Sequence, residues 1–140
     1  MHNFLRIEKG ILKQCWMPKV LVLPPVITTI GENAFLASDG LEAVIIPGSV
    51  TSINAEAFWG CTSLTTVNIP DSITSIGYRA FADCMSLTSI TIPDSVRSIG
   101  DAAFYGCDSL TSVRLPEKFR SEEELRKLGL PDRIKFVSMS

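Results

Sequence analysis

Apolar residues return along this chain at a fixed interval of 23, in blocks that open at Pro24, Pro47, Pro70 and Pro93, with a fifth proline at Pro116. One column holds Ile30, Ile53, Ile76 and Ile99, and another Phe35, Phe58, Phe81 and Phe104, each preceded by alanine. Leu41, Leu64, Leu87 and Leu110 make a third column, and Val44, Val67, Ile90 and Val113 a fourth. A single block has too little surface to bury its own apolar side, so neighbouring blocks must cover it; the pattern predicts stacked coils. Within each block the stretch from Leu64 to Ile69 is typical. It alternates so that Leu64, Val67 and Ile69 face inward while Thr66 and Asn68 face solvent, which predicts a half-buried strand. A second short extended run, such as Val96 to Ile99, follows each proline. Gly31, Gly77 and Gly100, with Asn54 in the remaining block, then suggest a tight bend at positive φ. The Ala-Phe-x-x-Cys stretch is too short for a helix and predicts a single helical or 3₁₀ turn.

The ends depart from the repeat in ways that suit caps. Residues 1–23 form a degenerate block: ungapped alignment places Ile7 in the Ile30 column, Leu12 in the Phe35 column, Leu21 in the Val44 column and Leu23 in the Ile46 column. Glu8, Lys9 and Lys13 would give it a wet outer side, and Trp16 is expected to close the first coil's core. Residues 116–140 replace the turn with SEEELRKLGLP. Ser121 with Glu124 forms a capping box, Glu122 and Glu123 suit a first turn, and Gly129 and Pro131 stop the helix at about 121–128. Phe136 falls in the Val113 column, so Arg133 to Val137 predicts a last strand. The 140 residues thus divide into about six coils within a single domain: four regular repeats over 24–115 between two caps.

This wording (IPDSVRSIGDAAFYGCDSLTSV, with Pro, Ile-Gly, Ala-Phe, Cys and Leu recurring in phase over 24–115) resembles the BspA-like class of leucine-rich repeats. The opening FLRIEKGILKQC is similar to the degenerate first unit of that class. The resemblance implies a mainly β leucine-rich-repeat solenoid with short helical or 3₁₀ turns and a C-terminal capping helix. It implies a binding or structural role, commonly bacterial and at the cell surface or secreted, in adhesion or host and matrix binding. It carries over no catalytic residue.

Composition removes other classes. The chain is 46% hydrophobic with 20% charged residues and a net charge of −2, which excludes a disordered chain and offers no basic excess for nucleic acid. His2 is the sole histidine and lies at the terminus, which removes most His-based catalysis and metal binding. No phosphate-cradling glycine loop or hydrolase elbow is present, and the repeating Asp71, Ser72, Asp94 and Ser95 are turn residues; no enzyme and no cofactor is expected. Arg6, Glu8, Lys9 and Lys13 interrupt the N-terminus, so no signal peptide is read there. No stretch approaches a membrane span of roughly 20 apolar residues. The literal expectation is a cytoplasmic protein without membrane contact, the alternative a secreted or surface one.

Cys15, Cys61, Cys84 and Cys107 are spaced by 46, 23 and 23, which puts them in one column with Ser38. A straight column favours a buried, reduced thiol ladder over a disulfide or a zinc site, since zinc ligands must converge. The outward columns of the main sheet are Val20, Ala43, Thr66, Ser89 and Ser112, and Val22, Ile45, Asn68, Thr91 and Arg114. In a leucine-rich repeat this broad, rigid sheet is the usual binding face. The candidate interaction residues are therefore Ala43, Ile45, Thr66, Asn68, Ser89, Thr91, Ser112 and Arg114. No aromatic lies among them to stack on a sugar or base. Trp59, in the variable position after the Phe column with Leu36 and Tyr105, is either a partner anchor or a shield for its neighbour's turn. The expected activity is binding of a protein or a host or matrix ligand. The alternative is a structural or self-associating solenoid, a monomer or weak homodimer joined near Trp59 or through Val20, Val22, Ala43 and Ile45.

Overall fold

In the computed structural model, which describes residues 5–15, 19–130 and 134–136, the chain winds as a β-solenoid of four regular turns. His2, Trp16, Pro131, Arg133 and Val137 lie outside the described residues. An N-terminal hairpin pairs β1 (Leu5–Glu8) with β2 (Ile11–Cys15). Each turn then gives one strand to each of two walls. β3 (Val20–Val22) and β4 (Thr29–Ile30) come first, then β5 (Ala43–Ile45) and β6 (Ser52–Ile53). β7 (Thr66–Val67) and β8 (Ser75–Ile76) follow, then β9 (Ser89–Thr91) and β10 (Ser98–Ile99). β11 (Ser112–Arg114), a 3₁₀ turn at Glu117–Phe119, α1 (Glu122–Leu128) and β12 (Lys135–Phe136) complete the chain. The even-numbered wall is one continuous sheet in the order β1-β2-β4-β6-β8-β10. The other wall is two sheets, β3-β5-β7 and β9-β11-β12.

Between the walls the Phe column is fully buried and stacks face to face, with ring centroids 4.8, 5.1 and 5.9 Å apart and planes within 6° of parallel. The Ile, Leu and Val columns pack around it, buried except for the half-buried Ile99. The Ala-Phe stretch is a run of linked turns rather than one helical turn: Ala34 N–H donates to Gly31 O, Leu36 to Asn33 and Ser38 to Phe35. Alternate amides of the run point along the solenoid, so Phe35 N–H donates to Ala57 O, Phe58 to Ala80 and Phe81 to Ala103 at 2.7–2.9 Å. The turns thus form a third hydrogen-bonded wall, which continues across the level where the odd-numbered wall is interrupted.

Two sequence expectations are corrected. Gly31, Gly77 and Gly100 do not adopt positive φ; the left-handed residues are Asn33, Glu56, Arg79 and Ala102 two positions on, and Ala37, Gly60, Asp83 and Gly106 six on. The Ile-Gly column needs glycine for space, because a Cβ on Gly77 would stand 2.5 Å from Ala55 N and 2.7 Å from Asn54 C. At the N-terminus, Lys9 (φ 53°) and Gly10 (φ 77°) reverse the chain into an antiparallel hairpin, which breaks the 23-residue phase. Leu12 therefore pairs with Ile30 and belongs to the Ile column, and Ile7 lies across the hairpin opposite Leu12. Cys15 lies in β2 opposite Leu5, outside the turn column of the other cysteines. Phase is regained at β3, where Leu21 pairs with Val44.

At the other end Ser121 Oγ accepts from Glu124 N–H at 3.1 Å, and Gly129 in the left-handed region (φ 75°) closes α1 after seven residues. Val113 pairs with Phe136, so β12 lies beside β11 at the sheet edge.

Candidate interaction surface

The odd-numbered wall presents its outward side chains in register: Val20 beside Ala43 and Thr66, and Ser89 beside Ser112. Pleating alone sends them outward, since Leu21, Val44, Val67, Ile90 and Val113 between them are buried. Thr66, Ser89, Thr91 and Arg114 are exposed, while Ala43 and Ser112 are half-buried. At the N-terminal end Val20, Val22 and Ile45 are 62%, 66% and 43% exposed, an apolar stretch open to solvent.

Asn68 is also solvent-facing, but its carboxamide is engaged. Oδ1 accepts from Ile46 N–H at 2.7 Å and Nδ2 donates to Ile46 O at 3.0 Å, so the side chain replaces a missing main-chain rung between turns. Beyond it the wall splits. Thr65 N–H donates to Glu42 O and Thr111 N–H to Thr88 O, yet Thr88 N–H has no such bond to Thr65 O. Between β7 and β9 there is a cleft of about 310 Å³ lined by Thr66, Asn68, Ile69, Ser89 and Thr91. Four sequence-selected residues thus gather there. Ile69, which also lines the cleft, was not among them, because its side chain belongs to the core.

Trp59 lies off this wall, in the turn column, half-buried. Its Nε1–H donates to Asp83 Oδ2 at 2.9 Å, and the Arg79 guanidinium sits 5.5 Å from its ring centre and 5.0 Å from that of Tyr78. Its polar tip and one ring face are thus engaged by residues of the neighbouring turn. Sequence reading missed Asp83 and Arg79 as its partners; Asp83 gave a signal, since it interrupts a column otherwise held by Ala37, Gly60 and Gly106, whereas Arg79 shares its column with Asn33, Glu56 and Ala102 and gave none.

The cysteines act as donors. Cys61 Sγ–H donates to Phe35 O at 3.0 Å, Cys84 to Phe58 O at 3.2 Å and Cys107 to Phe81 O at 3.0 Å. Burial pushes the Cys107 thiol from its ordinary 9.0 up to about 12, and drives Cys84 further in the same direction. A thiol raised this way favours the fold below its ordinary pKa, and that stabilisation is lost as pH climbs toward the folded value. Stability should therefore fall above about pH 9, more shallowly in a Cys107→Ser variant. At pH 8 iodoacetamide should leave Cys61, Cys84 and Cys107 of the folded protein unmodified and label them in denaturant, read peptide by peptide so that Cys15 is scored apart. Labelling of any of these three in the native protein at the rate of a free thiol would contradict the ladder.

Among the described residues no helix is long and apolar enough to cross a membrane. No curated protein matches the chain. Solved structures do. A leucine-rich cell surface protein from Faecalibacterium prausnitzii is 28% identical with a TM-score of 0.75 over 89% of this chain, which spans 32% of that one. A leucine-rich repeat protein from Bacteroides capillosus is 31% identical (TM-score 0.67; 74% of this chain and 83% of that one). One from T. pallidum is 29% identical (TM-score 0.62; 90% and 77%). Residues 28–126 match the BspA type leucine rich repeat region in six copies. The repeating Pro, Ile-Gly, Ala-Phe, Cys and Leu positions, the solenoid they build and this match together place the chain in the BspA-type leucine-rich repeat family.

Proposed function

We propose that this protein is a non-enzymatic interaction module that binds a protein partner, or a host or matrix ligand, through the outward face of the odd-numbered wall. The observation that supports this most is the face itself. Small, neutral and apolar side chains stand in register on strands tied at nearly every level, a preformed surface that loses little entropy on binding. The Faecalibacterium relative is described as a cell surface protein, which favours display at the cell surface for this chain too. Glutamate at Thr66, Ser89, Thr91 and Arg114 together should weaken binding of a partner identified by crosslinking by at least about tenfold through desolvation and lost contact. Melting temperature should stay nearly unchanged, because all four side chains are solvent-facing. Undiminished binding by this variant would move the site off the wall.

A second reading is favoured by the exposure of Val20, Val22 and Ile45. If this stretch joins two copies, light scattering should show a dimer that Val22→Lys dissociates; a strict monomer at high concentration rejects it.

A further inference from the structure

One column of the odd-numbered wall is held by Leu23, Ile46, Ile69 and Ile92, one per turn, and its main chain is bonded in two different ways and in one turn not at all among the described residues. Leu23 N–H donates to Ile45 O at 3.0 Å and Ile92 N–H to Arg114 O at 2.8 Å, the regular rung to the next turn. Ile46 has instead the Asn68 carboxamide, which takes its N–H and gives a proton to its C=O. At Ile69 neither kind of bond is formed among the described residues. Thr91 occupies there the column place that Asn68 holds for Ile46, and a hydroxyl one bond from Cβ does not reproduce a planar donor–acceptor pair. Ile69 opens onto the 310 Å³ cleft of the split wall.

We propose that the Ile69 main chain is a binding site for the carboxamide of an asparagine or glutamine side chain carried by a protein partner, which would fill it as Asn68 fills Ile46. This rests on the reading of the odd-numbered wall as the interaction face. The chemistry selects the group. A primary carboxamide carries its donor and acceptor side by side on one side chain, whereas a single trans peptide group points them in opposite directions; a partner main chain could serve both groups only through a whole residue in antiparallel pairing, which the Ala probe separates. A carboxylate lacks the donor, and Thr66, Ser89 and Thr91 offer it no positive charge. The N–H is what sets Ile69 apart, since the C=O of Leu23 and of Ile92 likewise accepts no bond among the described residues; an N–H left open at a cleft is an unfilled requirement rather than a neutral surface.

The test uses the whole protein, with its amide resonances assigned, and three probes: acetyl-Gly-Asn-Gly-N-methylamide and its Asp and Ala counterparts. The Asn peptide should shift the Ile69 amide saturably, and the other two should not. An equal response to the Ala peptide would assign the contact to the peptide main chain, and no response would leave the site without a ligand; either overturns the proposal. Thr91→Asn should supply the group internally, slow exchange of the Ile69 amide about tenfold and abolish the response to the Asn peptide. Thr91→Val, which removes the hydroxyl without adding a carboxamide, should keep the response. A Thr91→Asn protein that still responds fully also overturns it. If the four-glutamate variant loses its partner while no peptide moves Ile69, the interaction face stands and the carboxamide site falls.

Discussion

Replacing Phe81 with alanine should lower the free energy of unfolding by about 3–5 kcal/mol, among the largest losses available to a single substitution in this protein. Phe81 is stacked on both sides, with Phe58 at 5.1 Å and Phe104 at 5.9 Å, and is fully buried. Removing its ring opens a void in the middle of the stack. Collapse cannot fill that void, because the turn that carries the ring is fixed by Phe58 N–H to Ala80 O below and Phe81 N–H to Ala103 O above. The neighbouring rings would each lose a stacking partner in addition to the transfer of buried area, and in a solenoid the interface between turns is where stability resides. Denaturant unfolding of the variant would measure this. A loss below about 1 kcal/mol would mean that the Phe column is not the central support.

That the column could be read from the sequence at all follows from its chemistry. Phe35, Phe58, Phe81 and Phe104 each do the same work against the same neighbours, so one side-chain identity recurs at one interval. The same holds for Cys61, Cys84 and Cys107, whose spacing pointed to a ladder before their carbonyl partners were known. Legibility failed where the main chain decides. The Lys9–Gly10 reversal put Leu12 beside Ile30, because an antiparallel hairpin does not obey a translational repeat. The first positive-φ column carries Asn33, Glu56, Arg79 and Ala102, four dissimilar residues from which no turn rule could pick them out. In the interaction face, the outward direction of Thr66, Ser89, Thr91 and Arg114 was visible in the alternation. The split between β7 and β9 was not, because Val67 and Ile90 continue their apolar column across it while only hydrogen bonds are lost. Asn68 looked like one more solvent-facing polar residue, since its partner, the main chain of Ile46, has no signature in sequence.

The Ile-Gly column, where sequence suggested one cause and the structure another, gives the second large effect. Gly77→Ala should destabilise by about 2–3 kcal/mol, through overlap of main chain with main chain rather than through strain in φ. Its Cβ would stand 2.5 Å from Ala55 N, 2.7 Å from Asn54 C and 2.9 Å from Ala55 Cα, all atoms of the preceding turn. Those atoms can retreat only by stretching the Gly77 N–H bond to Ile53 O, now 2.8 Å, and the pairing of Ile53 with Ile76. Asn54 carries a Cβ in the same column, so the level beneath it has made room, but Gly77 rests directly on Asn54 and Ala55. Two other glycines separate the causes. Gly60 has φ +76° and nothing closer than 3.6 Å, so Gly60→Ala should cost about 1 kcal/mol from left-handed strain alone. Gly48 has neither positive φ nor a neighbour within 4 Å, so Gly48→Ala should be neutral or gain up to about 1 kcal/mol by restricting the unfolded chain. The expected order of destabilisation is therefore Gly77, then Gly60, then Gly48. If Gly77→Ala proved no worse than Gly60→Ala, the turns would have to be able to separate at that level, and close approach could not be what holds glycine in the column.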